Sequence, residues 1–113
     1  MLKKGFRITK QGDFDRVFRS GKPVFFGEIG CRYAKNNLTH VRIGFSLSKK
    51  HLSLAVDRNR LRRVLSEAFA TAEALWPSDT DIVFFSAKKG ASLSFDQAIT
   101  LVEQTLKNIN RSR

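Results

Sequence analysis

The segment Ile82–Ala87, IVFFSA, constrains the fold more than any other stretch of the chain. An uncharged, non-alternating run of this length reads as a strand covered on both faces, which puts it inside a sheet rather than at its edge. The stretch before it is a helix by spacing. Over roughly 58–75, Leu61, Val64, Leu65, Ala68, Phe69, Ala72 and Leu75 form one continuous apolar stripe. Asp57 is placed to cap its start and WPSDTD ends it. Residues 41–48, VRIGFSLS, alternate: Val41, Ile43, Phe45 and Leu47 point one way, Arg42, Gly44, Ser46 and Ser48 the other. That is the pattern of a half-buried antiparallel strand. The long helix therefore joins two strands that are candidates for parallel neighbours.

The remaining segments fit around this unit. Residues 1–8 read as an extended basic lead-in. A short helix is predicted over 10–20, with Phe14, Val17 and Phe18 on one side. Gly21 suits the left-handed position past its end, and Pro23 cannot continue it. Residues 24–34, VFFGEIGCRYA, read as one strand. Phe25, Ile29, Cys31 and Tyr33 make its core face; Val24, Phe26, Glu28, Gly30 and Arg32 make a mixed face open to a ligand. KNNLTH is a turn, a short strand is expected near 52–56, and KKGAS is a loop. Ser94 caps a last helix with Phe95, Ala98, Val102, Leu106 and Ile109 inward. The order is α-β-β-β-α-β-α, a single domain spanning 1–113, with one sheet and helices packed on it.

Charge separates this chain from an ordinary small domain. It carries 21 Lys+Arg against 10 Asp+Glu. Residues 1–63 hold 16 basic and 4 acidic side chains, a net of +12, and residues 64–113 hold 5 and 6, a net of −1. A one-sided excess of that size describes a binding face for a polyanion. The lone cysteine, Cys31, allows no internal disulfide and suggests a reducing compartment. The chain shows no apolar run of membrane-spanning length and no secretory signal, so a cytoplasmic protein is expected.

The charge concentrates in DRNRLRRVLSE, residues 57–67. Arg58, Arg60, Arg62 and Arg63 fall in the first turns of the long helix, where the partial positive charge of unpaired N–H groups favours anions instead. From Leu61, Arg62 lies ~100° round the wheel, Arg63 ~200° and Arg60 ~260°. Glu67 is in reach of Arg63, and Asp57 is engaged at the cap. The other guanidinium groups are left to face outward. A solvated face would mix signs and favour acids in this turn. Arginine matches phosphate with a planar fork of donors and stays charged. The arrangement is therefore expected to be relieved by RNA or DNA.

SLSKK (46–50), AVDRNRLRRVLSEAF (55–69) and AKKGA (87–91) resemble the bacterial ribonuclease P protein subunit. Arg58-Asn59-Arg60, an apolar residue, then Arg62 and Arg63 are the centre of the likeness, and DFDRVF (13–18) extends it to the first helix. The resemblance implies an α+β two-layer sandwich, a mostly antiparallel central sheet and a left-handed β-α-β crossover. It implies a protein that assists a catalytic RNA in removing the 5′ leader of precursor tRNA, with the active site and its Mg2+ held by the RNA. Arg58, Asn59 and Arg62 would lie toward a cleft for the single-stranded leader, and Phe14 and Phe18 would line it. Arg32, where some relatives carry an aromatic, would face it too. Arg60 and Arg63 would face the catalytic RNA; Lys49, Lys50, Lys88 and Lys89 would contact phosphates. Ser66 stands where many members carry arginine, and HLSLAV lacks the glycine many have there.

Nothing in the sequence suggests a protein-borne active site. His40 and His51 have no metal-ligand spacing and read as loop residues, Cys31 as buried. The chain has no glycine-rich phosphate loop, and its carboxylates are few and scattered. A structural RNA binder, such as a small ribosomal protein, shares the charge and size. A DNA regulator fits less well, because arginines at a helix start grip phosphates and leave little to read base edges. The expected partners are the ribonuclease P RNA and precursor tRNA, with neither membrane nor DNA.

Overall fold

The computed structural model describes residues 4–90 and 92–111. Its elements are α1 (Gln11–Ser20), β1 (Lys22–Phe26), β2 (Ile29–Lys35), β3 (Arg42–Ser46), α2 (Ala55–Thr71), β4 (Thr80–Ser86) and α3 (Phe95–Arg111). The strands form one sheet in the order β1-β2-β4-β3. As its apolar run demands, β4 is internal, antiparallel to β2 and parallel to β3. Ile82 and Phe84 face the main core with α2 and α3; Val83 faces the other way and packs with Val17 of α1. Helices α2 and α3 thus cover one face, and α1 lies across the other. Complete burial of Phe69, Phe84, Leu65 and Leu101 fixes the first layer; truncating such a Phe costs ~3–5 kcal/mol.

Several expectations change. The predicted strand 24–34 is a hairpin. Gly27 takes φ 63° at the first position of a two-residue turn, which a side-chain-free residue does without strain. Phe26 pairs with Ile29, Phe25 with Gly30 and Val24 with Cys31. Opposed residues share a face, so Val24 and Phe26 join the core and Phe25 turns away, 63% exposed. Gly21 is not left-handed; its φ is −78°. A Cβ there would stand 2.2 Å from the carbonyl oxygen of Val17, so steric closeness calls for glycine. The strand Arg42–Ser46 is parallel, not antiparallel, and Arg42 and Gly44, expected outward, lie under α1.

No strand forms at 52–56. The amides of His51 and Leu52 close a turn on the Ser48 carbonyl, and Leu52 drops into the core. The long helix then starts at Ala55, with Leu54 as an N-cap that gives no side-chain hydrogen bond. Asp57 is not the cap but an acid of the first turn, where the orphan N–H groups favour it. The helix ends at Thr71, and a 3-10 turn (Glu73–Leu75) brings Trp76 onto Phe69, ring centroids 4.7 Å apart. The three strands ahead of α2 are therefore the two arms of the hairpin and β3. At α3, Ser94 Oγ accepts from the Gln97 amide at 3.1 Å and Gln97 Oε1 accepts from the Ser94 amide at 2.9 Å, a reciprocal capping box. Phe95, expected inward, is 42% exposed; Ala98, Val102, Leu106 and Ile109 are buried. In the lead-in, Lys4–Phe6 is a 3-10 turn and Arg7 bridges Ile43 in parallel; residues 1–3 lie outside the described part. None of the helices among the described residues is long and apolar enough to cross a membrane.

Candidate nucleic-acid interface

The early start of α2 shifts its arginines along the helix. Arg58 ends the first turn, Arg60 and Arg62 occupy the second, and Arg63 opens the third. Arg58 folds back, donating through Nη1 to the carbonyls of Leu52 at 2.7 Å and Ser53 at 3.2 Å. It ties down the preceding turn and does not line the groove described below. Arg62 Nη1 donates to Asn59 Oδ1 at 2.9 Å, which leaves its other donors directed to the groove. Arg60 and Arg63 are exposed. Among the described residues, the ion pairs join Arg16 and Arg42 to Asp13 and Asp81, and none involves an arginine of α2. The expected Arg63–Glu67 pair is absent from that set.

A groove of about 230 Å³ opens beside β3. Arg7 and Ile8 of the lead-in, Phe14 of α1, Phe45 of β3, and Arg62 and Ser66 of α2 form its walls. Ser66 is 7% exposed, so the position where arginine was expected is a small polar spot in the wall. Phe14 is half-buried in the groove, while Phe18 lies further along α1 with its ring 5.8 Å from Phe85. Arg32 does not reach the groove; its Nη1 donates to the carbonyls of Gly21 at 3.2 Å and Phe18 at 3.4 Å, past the end of α1. From sequence, Arg7 was only part of the basic lead-in and Phe45 only one of the residues on the apolar side of its strand. Only the pairing of the lead-in with β3 brings them here.

Arg60 lies on the other side of α2, in a hollow with Asp57, Leu52, Gly90 and Ser92. Two loops carrying exposed Lys49, Lys50, Lys88 and Lys89 meet there. The Gly90 amide donates to the His51 carbonyl at 3.1 Å, and His51 Nδ1 lies 3.0 Å from the Ser86 carbonyl. His51 is thus a half-buried tie between the loops. His40 plays a similar part, its Nε2 2.8 Å from the Gly5 carbonyl. Sequence gave the four lysines; the pairing of β3 with β4 gathers them at one end of the sheet.

What holds α1 over the sheet is a charge cluster that the sequence reading missed. Asp81, wholly buried in β4, accepts from Arg42 Nε at 2.9 Å, Arg42 Nη2 at 2.7 Å and Asn36 Nδ2 at 2.7 Å, and from Arg16 of α1. Burial alone would push the Asp81 carboxyl up. The hydrogen bonds from Arg42 and Asn36, with the charges of Arg42 and Arg16, outweigh it and hold the group below the usual carboxylate range. Arg42 is pushed up by the same bonds. Cys31 is buried 3.8 Å from Thr105 Oγ1, and burial raises its thiol to about 11. Among the described residues no group of three or more His, Cys, Asp or Glu side chains is placed to hold a metal ion.

The profile of the Ribonuclease P family matches residues 2–110. The ribonuclease P protein component of Pelotomaculum thermopropionicum is 37% identical over 107 residues, covering 93% of this chain and 95% of that one. That of Listeria monocytogenes is 33% identical over 107 residues, 94% of this chain and 89% of its own. The match to the Legionella pneumophila component is 42% identical over 68 residues and spans 60% of each protein. Among solved structures, the RNase P protein of Staphylococcus aureus has a TM-score of 0.79 at 28% identity, covering 94% of this chain and 96% of that one. The Thermotoga maritima protein has a TM-score of 0.73 at 27% identity, covering 93% and 96%.

Proposed function

This chain belongs to the ribonuclease P protein family, and from that premise we propose that it is the protein subunit of a ribonucleoprotein that removes the 5′ leader from precursor tRNA. In this reading Arg60 and Arg63, with the lysine loops, grip the phosphates of the catalytic RNA. The groove walled by Arg62, Phe14 and Arg7 receives the single-stranded leader, its rings stacking on bases and its guanidinium groups meeting phosphates. Asn59 orients Arg62, Arg58 rigidifies the turn before α2, and Arg32 steadies the end of α1. The hydrolytic chemistry and its Mg2+ reside in the RNA, and the side chains here bind and position.

The observation that carries the proposal is the set of α2 arginines without carboxylate partners among the described residues, beside an aromatic-lined groove. The net charge of a complex with RNA removes the mutual repulsion those side chains suffer in the free chain. The test is cleavage of precursor tRNA by a bacterial ribonuclease P RNA at low Mg2+, with and without this protein. Faster leader removal is expected. Tight binding to ribosomal RNA with no acceleration would instead identify a structural RNA binder.

A further inference from the structure

Three contacts fix the backbone and ring of His51. Its amide donates to the Ser48 carbonyl at 3.2 Å, its carbonyl accepts from the Gly90 amide at 3.1 Å, and its Nδ1 lies 3.0 Å from the Ser86 carbonyl. Ser86 Oγ accepts from the Ser48 amide at 3.1 Å, which closes the joint between the two lysine loops. A carbonyl oxygen can only accept, so Nδ1 carries the hydrogen of the neutral ring. Nε2, on the other side of the imidazole, is then a bare acceptor. Among the described residues it has no hydrogen-bond partner. The ring is half-buried and held in one orientation, with its remaining nitrogen uncommitted.

The charges around this joint are mostly of one sign. Lys49 and Lys50 precede His51 on its own loop, and Lys88 and Lys89 stand on the loop it is tied to, all four exposed. From α2 come Arg58, whose Nη1 holds the Leu52 and Ser53 carbonyls next to His51, and Arg60 in the adjoining hollow. The carboxylates nearby are Asp57, which shares that hollow with Arg60, and exposed Glu28 of the hairpin turn, whose carbonyl accepts from the Ala87 amide. On the reading of the lysines as grips for the catalytic RNA, on which this inference rests, docking brings phosphate oxygens to the joint. Those oxygens are acceptors, and so is Nε2 of the neutral ring. One proton taken from solvent turns Nε2 into a charged donor, and no other bond forms or breaks. We infer that His51 is a proton-linked contact to the catalytic RNA, so that assembly takes up a proton at Nε2 and the complex tightens as pH falls from ~8 to ~6, the interval in which histidine changes charge. Linkage is reciprocal, so the bound RNA in turn holds that proton. The buried groups lie outside this interval, Asp81 below the usual carboxylate range and Cys31 at about 11.

The test is equilibrium binding of the full chain to a bacterial ribonuclease P RNA at fixed salt and Mg2+, at ~pH 6 and ~pH 8. Wild type should bind about tenfold more tightly at the lower pH, the worth of one charge-assisted hydrogen bond. His51→Gln keeps an amide donor for the Ser86 carbonyl and cannot take a proton. It should match wild type at ~pH 8 and lack the gain at ~pH 6. His40→Gln, changed at the other end of β3, should behave as wild type at both. Calorimetry at ~pH 7 in two buffers of different ionisation enthalpy should show proton uptake by wild type that His51→Gln loses. Absence of uptake in wild type refutes the inference whether or not the variant folds. So does a pH dependence that His51→Gln retains, and so does a variant weakened by the same factor at both pH values, which would make His51 a structural tie only. If wild type binds the RNA at neither pH, the reading of the lysine loops as an RNA grip fails instead.

Discussion

Asp81→Ala tests whether the buried charge cluster is what seats α1 over the sheet. The carboxylate is wholly buried and serves Arg42 twice, Asn36 once and Arg16 once. Removing one partner of a buried ion pair costs ~3–5 kcal/mol, because the other charge is stranded. Here the lower end applies: the Arg16 side chain is 36% exposed, and Arg42 keeps Asp13 at 3.5 Å. For a chain of 113 residues, an unfolding entropy of ~0.24 kcal/mol/K turns ~3 kcal/mol into a fall of ~12 °C in melting temperature. Circular-dichroism melts and urea titrations at neutral pH read it directly. Adding Arg42→Met, which removes the stranded cation, should recover about half of the loss. The pH dependence follows from the depressed carboxyl. Its stabilisation is complete above the unfolded pKa of ~4 and is lost as pH falls through the lower folded value. Wild type should therefore shed stability on acidification below ~pH 4 and Asp81→Asn should shed less. A loss under ~1 kcal/mol in Asp81→Ala, or a double variant no better than the single, would refute this account.

Three further outcomes are expected. If the protein meets ~6 phosphates, its affinity for the catalytic RNA should fall by about two to three orders of magnitude between ~50 and ~200 mM salt, and a flat response would remove the polyanion face. Arg60→Ala or Arg63→Ala should weaken assembly with the RNA, while Arg62→Ala or Phe14→Ala should lower preference for leader-bearing over mature tRNA in the assembled enzyme; one shared defect would merge the two faces. Burial keeps the Cys31 thiol protonated up to about 11, so its contribution is intact below the unfolded pKa of ~8.5 and is lost as pH rises through the folded value. Cys31→Ala should flatten the alkaline limb of stability against pH, and the native thiol should resist alkylating reagents until the chain unfolds.

Much of this was legible in the residues. The IVFFSA run specified an internal strand because both its faces are apolar, and the α2 stripe specified a helix because its spacing has no other reading. The charge asymmetry pointed to a polyanion without any coordinates. The hairpin at Gly27 was not read from sequence, since Val24, Phe25, Phe26 and Ile29 all suit a strand and the positive φ that divides them is a property of the folded backbone. The start of α2 was misplaced because Asp57 fits a cap as well as a first turn; burial of Leu52 decided between them. Asp81 looked like a turn residue, and its role depends on two arginines that lie 65 and 39 positions away.

By itself, then, the sequence determined the periodicities, the long helix with its cations, and the class of partner. These are local or summed properties, and they survive in any arrangement of the chain. Tertiary structure decided which cations are open: Arg58 and Arg32 are spent on backbone carbonyls, Arg16 and Arg42 on Asp81, while Arg60 and Arg63 are exposed and form no ion pair among the described residues. The physical reason is that a guanidinium's availability depends on which acceptors folding brings within hydrogen-bond reach, and sheet pairing, not chain order, sets those distances.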